Sequence, residues 1–434
     1  MFERLSTPAW LPRIARTIPF RLSLVIVCLV VHLVAITSVG RSRFRRPFDA
    51  APNEAPHFVN RTDASARQWD RLVVSRWDTG HYTTIALRGY TLCPKNGFPD
   101  GNFAPTQFTC DLAFYPTYPW LAWVASLGGR LPIDWTFLAI SLVCSGIFLF
   151  LWTGPWFVER MGLWPTYVSF VVLNVFTSAY TLVTAQTEPL ALVLTLGAFV
   201  ALTGRRFLLG ALLAGAASAV RITALSTGVA YGLALVAVTA QQWPLDRRAL
   251  GRRALELVAS GWGLLTLLGY YAFRFHDPLV YLHAHAQTHG HSPSFARLFA
   301  PDVDQVALAM DRPLHEGVWL AAALLWFGLG HREAFARFSI PERVFCYALF
   351  GICVVVAAYG TADLAFQGMN RYLFLCFPLF LAIAAQTARR PFVLALWIVI
   401  CVWHYWNIDL CEYTGGPGNN TLKMCHAQHW IGHF

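Results

Sequence analysis

Residues 111–129 read DLAFYPTYPWLAWVASLGG, an apolar segment broken by Pro116 and Pro119. Whether this segment crosses a membrane or lies along its surface sets the orientation of every element after it. Counted as a span, it reverses all later loops and destroys the asymmetry of positive charge between the two sides of the chain. Read as a helix lying in the interface, where its Tyr and Trp residues sit between headgroups and hydrocarbon, it leaves that asymmetry intact. We therefore place it along the surface.

The surrounding composition requires a membrane in the first place. The chain has 434 residues, of which 56% are hydrophobic and only 13% charged, and its mean hydropathy is +0.48. A soluble domain of this size carries about 25% charged residues. The reading is an all-α polytopic membrane protein, forming one integral domain over residues 1–434. Apolar runs long enough to cross about 30 Å of hydrocarbon as helix are expected at 22–39, 133–153, 164–182, 187–203, 206–220, 223–240, 254–272, 316–330, 342–359, 372–387 and 391–407. That makes about eleven spans. Arg41, Arg43, Arg45 and Arg46 follow the first run with no small-x-small site before them, so it reads as a span and not as a cleaved signal.

Lys and Arg in the short loops fix the expected orientation, the long first loop being left out because long segments translocate regardless of charge. One side holds fifteen Arg, from Arg4 through Arg160, Arg205 and Arg253 to Arg390. The other holds six cations, Arg221, Arg274, Arg297, Arg312, Arg371 and Lys423. The N-terminus, residues 1–21, is thus cytoplasmic. The loop 40–132 and the tail 408–434 lie outside, with the bundle at 133–407 between them. The net charge of +10 reflects this topology, with attraction to anionic membrane lipids as a by-product. No basic stripe interleaved with stacking aromatics points to nucleic acid.

Most unusual polar residues fall on the outer side. Cys93 with Cys110, and Cys411 with Cys425, each share one outer segment at a spacing suited to a disulfide in an oxidising compartment. Cys28, Cys144, Cys346, Cys353, Cys376 and Cys401 lie in apolar runs and read as small core residues. Asn60 and Asn419 begin glycosylation sequons on the same outer side.

The order RWDTGHYTTIALRGY (76–90), AFYPTYP (113–119), SAYTLVTAQTEP (178–189), AGAASAVRITAL (214–225) and FHDPLVYLHAHAQ (275–287) resembles the PIG-V (GPI mannosyltransferase II) family and its prokaryotic relatives. The resemblance runs from about residue 70 to residue 380, and its most specific part is Trp77-Asp78 followed by His81-Tyr82, Ile85-Ala86 and Gly89-Tyr90. The chain departs from the family at Gln186, where relatives carry an aromatic residue before Thr-Glu, and at Ile222-Thr223 after Arg221, where many carry a small polar residue and glycine. The resemblance implies a GT-C bundle with interfacial helices in its first outer loop. It also implies transfer of mannose from a polyprenyl or dolichyl phosphate donor to a glycolipid or other glycan, with inversion, on the outer face of a plasma or endoplasmic reticulum membrane and with no cofactor required.

That chemistry needs a base for the acceptor hydroxyl and donors for the leaving phosphate. The resemblance places Asp78 at the base position; the alternative is an Asp capping a helix that starts near Gly80. Asp111 is a second base candidate or a cap before Leu112. His81, three residues from Asp78, is expected to orient Asp78 or the acceptor, or to be an interfacial histidine. Arg76, Trp77 and Tyr82 of the same motif are expected at the substrate. Glu188 either complements a helix start, with Pro189 behind it, or faces a substrate cavity. Arg221 and Arg371, the latter beside Tyr372, stand at the outer ends of nearly uncharged helices. Their planar forks suit phosphate oxygens, although an arginine at such an end also simply snorkels to the interface. His283 and His285 read as substrate hydrogen-bonders or as solvated loop histidines. His285 and His289, one helical turn apart, also fit a divalent metal, but only Asp277 joins them.

A transporter or flippase of a lipid-linked or polar substrate also places ionisable residues inside a bundle. Transporters generally show repeats and broken helices at the midplane. This chain instead gathers its polar residues at one face.

Overall fold

The computed structural model describes Ile14 and residues 17–43, 78–90, 111–289, 313–359 and 369–405. All regular structure among them is helical. In chain order the α-helices are α1 (Ile18–Arg43), α2 (Thr79–Arg88), α3 (Thr117–Ala125), α4 (Ile133–Trp152), α5 (Pro155–Met161), α6 (Leu163–Val175), α7 (Glu188–Thr203), α8 (Phe207–Ser218) and α9 (Leu225–Gln241). They continue as α10 (Arg247–Ala259), α11 (Trp262–Phe275), α12 (Val280–His289), α13 (Pro313–Ala334), α14 (Ile340–Tyr359), α15 (Met369–Phe374), α16 (Phe377–Thr387) and α17 (Pro391–His404). Short 3-10 turns at Asp111–Ala113, Thr177–Val183 and Ile222–Ala224 join them.

Among the described residues three stretches are long and apolar enough to cross a membrane: Ile18–Ser38, Ile133–Met161 and Ile222–Gln241. A fourth arises if α6 and the following 3-10 turn, bent by 85°, form one broken span. The apolar helices α7, α8, α16 and α17 are shorter. These apolar helices fit a membrane protein.

Three of the expected runs are broken, each for a local reason. The run 164–182 stops at Phe176, which is extended, and continues as a 3-10 turn. Thr181 there donates to the carbonyl of Ser178 (2.8 Å), the kind of side-chain bond that competes with the helical ladder. The run 254–272 divides at Ser260-Gly261, because Arg252, Arg253 and Glu256 belong to a charged helix, α10, that precedes the apolar α11. The run 372–387 divides at Leu375-Cys376, because Pro378 lacks the N–H that would continue the ladder back to Phe374, and it sits instead in the first turn of α16.

The segment 111–129 forms the 3-10 turn and then α3, nine residues long. Tyr118 and Ala122 are fully buried on one side of α3, while Trp120, Leu121, Trp123 and Val124 are exposed on the other. An outward row of apolar side chains suits lipid or interface better than water. The helix is too short to span.

α7 and α16 are buried nearly all round, the mark of helices at the centre of a bundle. α7 packs against α4 and α8, α9 against α14, and α13 against α16. Two crossings are close enough to exclude a side chain. A Cβ on Gly263 would strike the Gly215 carbonyl between α8 and α11, and one on Gly330 would strike the Ala382 carbonyl between α13 and α16. Small residues at such crossings let helix backbones touch where lipid supplies no hydrophobic drive. Five of the six cysteines in apolar runs are buried and Cys28 is partly so, all as free thiols. Cys93, Cys110, Cys411 and Cys425, both sequons, Arg76 and Trp77 lie outside the described residues.

Candidate functional site

The polar residues of one end of the bundle are held by buried hydroxyls on α4. After the 3-10 turn at Thr177–Val183 the chain bends through residues 184–187 before α7 begins, leaving carbonyls with no helical partner. Ser145 donates to the carbonyl of Leu182 (2.7 Å) and Ser141 to that of Gln186 (3.1 Å). From the other side Thr79, at the start of α2, donates to the carbonyl of Ala185 (2.8 Å). These bonds satisfy backbone that burial would otherwise penalise. They also bring the start of α2 against the start of α7.

Four charged side chains meet there. Arg371, in the first turn of α15, donates through Nε to Oε1 of Glu188 (2.7 Å) and through Nη2 to Oδ2 of Asp78 (3.1 Å) and Oε1 of Gln186 (3.1 Å). Arg221, between α8 and the Ile222–Ala224 turn, reaches the same Glu188 Oε1 through Nη1 (2.5 Å) and Thr187 Oγ1 (3.4 Å). Its guanidinium also lies over the Tyr372 ring, 5.8 Å from the centroid. Two cations and two carboxylates sum to zero, so the cluster is neutral. Burial works against the Arg221 cation, and the adjoining Glu188 carboxylate outweighs it, holding the guanidinium above its ordinary value.

The four do not share one environment. The Glu188 side chain is fully buried and that of Arg221 is 14% exposed, whereas Arg371 and Asp78 are 25% and 27% exposed. Two buried atoms of the cluster, Glu188 Oε2 and Arg221 Nε, have no hydrogen-bond partner. α2, α7 and α15 all begin here, adding the positive ends of their backbone dipoles.

The geometry sets aside the capping reading of Asp78. α2 starts at Thr79, and the Asp78 carboxylate makes no capping bond to it. The carboxylate goes to Arg371 instead. Likewise Glu188, although first in α7, spends its bonded oxygen on two arginines, so it does more than complement a helix start.

His81 and Asp111 form a second, deeper pair. His81 Nδ1 lies 2.8 Å from Asp111 Oδ1, both are buried, and the His81 ring stacks on Phe114 at 4.3 Å. The expected partnership of His81 with Asp78 is therefore replaced by one with Asp111. Asp111, with no exposed surface, braces α2 against the 3-10 turn it begins. Tyr82, on the same helix, is buried between Phe114, Tyr118 and Phe137. Burial first, then the Asp78 charge, pushes its hydroxyl well above the ordinary value, so it acts only as a neutral donor.

An aromatic layer adjoins the cluster. Tyr90, Tyr115, Tyr271 and Tyr281 pack with Ile222, the neighbour of Arg221. Tyr90 donates to the Phe114 carbonyl (2.7 Å). α12 covers the Asp111–Ala113 turn, with Ala284 against Leu112. His283, on α12, pairs with Asp277 (2.7 Å) at the exposed edge, outside the charge cluster. The side chain of His285 lies outside the described residues. Among the described residues no group of three or more His, Cys, Asp or Glu side chains is arranged to hold a metal ion.

Of the residues expected at the site, the structure thus gathers Asp78, Glu188, Arg221, Arg371 and Tyr372, with Tyr82 beneath them. It adds Gln186, Thr187 and Thr79, which the sequence reading did not place there. Gln186 had drawn notice only as a departure from a motif, and its amide oxygen is a ligand of Arg371. No family model, no curated protein and no solved structure matches the chain.

Proposed function

We propose that this chain is a membrane glycosyltransferase that takes a hexose, most simply mannose, from a polyprenyl or dolichyl phosphate donor and passes it with inversion to a glycolipid or other glycan. The observation that carries this reading is the junction of Asp78, Glu188, Arg221 and Arg371. It offers a partly exposed carboxylate beside two guanidinium forks, with a fully buried carboxylate behind them. A base next to phosphate donors is what transfer from a phosphate-linked sugar requires. The resemblance of the 76–90 motif to the PIG-V family supports the same reaction, and the proposal includes a GT-C-type bundle of about eleven spans with the cluster on its extracytoplasmic side.

In this reading the donor phosphate lies against Arg371 and Arg221. The acceptor hydroxyl gives its proton to Asp78 while its oxygen attacks the anomeric carbon. The bond from that carbon to the phosphate oxygen breaks, and polyprenyl phosphate leaves with the electron pair. Glu188 holds both arginines from below, and Tyr82 and the His81–Asp111 pair keep α2 in place. None of these steps uses a metal.

The test is transfer by the purified protein, using radiolabelled polyprenyl phosphate mannose and a membrane extract as the source of acceptor. Wild type should label a lipid or glycan product, and Asp78→Asn should slow that labelling by about 10²–10⁴-fold, the range for loss of a general base. Absence of any Asp78-dependent transfer from a lipid-phosphate sugar overturns the proposal.

A further inference from the structure

Arg371 has more acceptors than a resting phosphate-binding arginine can keep. Its Nε is committed to Glu188 at 2.7 Å, and Glu188 is fully buried. Its Nη2 also lies 2.7 Å from that Glu188 oxygen and reaches Asp78 and Gln186, both at 3.1 Å. A short charge-assisted bond to a buried carboxylate is strong, whereas a longer one to a carboxylate in contact with solvent is worth little. Asp78 is such a carboxylate, at 27% exposed. The three contacts therefore differ in kind: Glu188 is a fixed anchor and Asp78 is an exchangeable one.

The same contact bears on the base itself. With Arg371 on Asp78, the carboxylate oxygen assigned to take the acceptor proton is already occupied by a guanidinium N–H. A phosphate arriving at the cluster meets two arginines whose charges are already neutralised. It gains a guanidinium only by displacing a carboxylate, and the exposed one is the cheapest to displace. The unpartnered Arg221 Nε is a further donor of the cluster that the fold leaves without an acceptor.

We propose that Asp78 and the donor's phosphate compete for Nη2 of Arg371, so that donor binding releases Asp78 and prepares it as the base, with Glu188 keeping the guanidinium in position throughout the exchange. The inference rests on the transferase reading and deepens it by giving the order of events: donor first, acceptor deprotonation second. Before the donor arrives, Asp78 is occupied. Afterwards it faces the acceptor uncompensated.

The experiment is equilibrium binding of radiolabelled polyprenyl phosphate, the leaving product of the proposed reaction, to the full chain in nanodiscs of neutral lipid. Asp78→Asn should bind it about fivefold more tightly than wild type, the scale of a partly exposed ion pair. Simple removal of a nearby negative charge would also tighten binding, so the comparison is repeated in Arg371→Lys. A lysine keeps the charge but cannot hold Glu188 with one nitrogen and offer another. Competition for the fork predicts that Asp78→Asn gains nothing in that background, whereas plain repulsion predicts the full fivefold gain. Equal or weaker binding by Asp78→Asn, or a gain that persists in Arg371→Lys, overturns the inference while leaving the transferase proposal standing. Absence of saturable binding to wild type removes both.

Discussion

The two ends of the bundle treat buried charge in opposite ways. At the end away from α2, Glu342 accepts from the Ser339 backbone N–H (2.6 Å) and pairs with Arg160 (3.2 Å), which also donates to the Arg337 carbonyl (2.9 Å). Glu256 pairs with Arg252 and Arg253 one turn before it on its own helix. Glu256 is paired within its own helix and Glu342 is tied to a helix start, Arg160 and Arg252 reach solvent, and no atom of Glu342 or Glu256 is buried without a partner. At the other end, Asp78 meets Arg371 across 293 residues of chain. The cluster there has a fully buried acid at its centre and yet leaves polar atoms of Glu188 and Arg221 unpaired. Charges that finish helices are satisfied within the fold. Charges drawn from four distant segments and left incomplete are arranged for something the fold itself does not contain.

The sharpest way to break that contrast is to remove one acid from each end. Glu188→Ala strips two arginines of their shared counter-charge, and leaving buried cations uncompensated costs about 3–5 kcal/mol. It should lower the midpoint of thermal inactivation strongly and abolish transfer. Glu342→Ala removes a contact to a helix start and a pair with a partly exposed arginine, so it should cost about 1 kcal/mol and leave transfer intact. Similar losses at the two ends would mean that the cluster is ordinary structural pairing.

The crossings between the ends set the next scale. Gly330→Val places a side chain where the Ala382 carbonyl already sits, and overpacking of that kind costs about 1–3 kcal/mol. Because α16 leads directly from α15, the same change should also disturb Arg371. Reduced transfer beyond what the fall in folded protein explains would tie the crossing to the site. A purely proportional loss would confine its role to packing.

A smaller effect is expected at Gln186. Gln186→Leu removes one neutral acceptor from Arg371 and leaves Glu188 and Asp78 in place. The bond is charge-assisted by the arginine but long and partly exposed, which leaves it worth about 1 kcal/mol. The donor KM should therefore change about fivefold with little change in thermal midpoint. An unchanged KM would mean that Gln186 only fills space beneath the arginine.

How far the chain could be read in advance follows the same division between local and distant. Hydropathy places most helices, because an apolar run needs no partner to be recognised. It misses the breaks at Phe176, Ser260 and Pro378, where hydroxyl bonds, a charged neighbour helix or a single proline interrupts a run that remains apolar on average. The site residues are legible as anomalies: Asp78, Glu188, Arg221 and Arg371 are ionisable groups in greasy surroundings, and a count of positive loops assigns them to one side. Their mutual bonds are not legible, since nothing local connects residue 78 to residue 371. His81 shows the limit most clearly. Helical spacing alone sets it beside Asp78, and only the path of the 3-10 turn at Asp111–Ala113 reveals the partner it takes.

The smallest effect belongs to the pair His283–Asp277, which has the chemistry of the cluster without its burial. The Asp277 carboxyl is held below its ordinary value. What little burial it has works the other way, and the hydrogen bonds from His283 and the Leu279 N–H outweigh it. A lowered carboxyl contributes stability that is present above its unfolded value and lost as the pH falls through the folded one. Both side chains are widely solvated, 63% and 33% exposed, so screening reduces the contribution to a few tenths of a kcal/mol. Asp277→Asn should thus shift the thermal midpoint by no more than about 1–2 °C at neutral pH, by nothing once the pH is below the carboxylate range, and by less in high salt. Transfer should stay at the wild-type rate. A shift as large as that of Glu188→Ala would show that exposure does not separate structural pairs from the cluster, and that the distinction between the two must rest on the unpaired atoms of Glu188 and Arg221 alone.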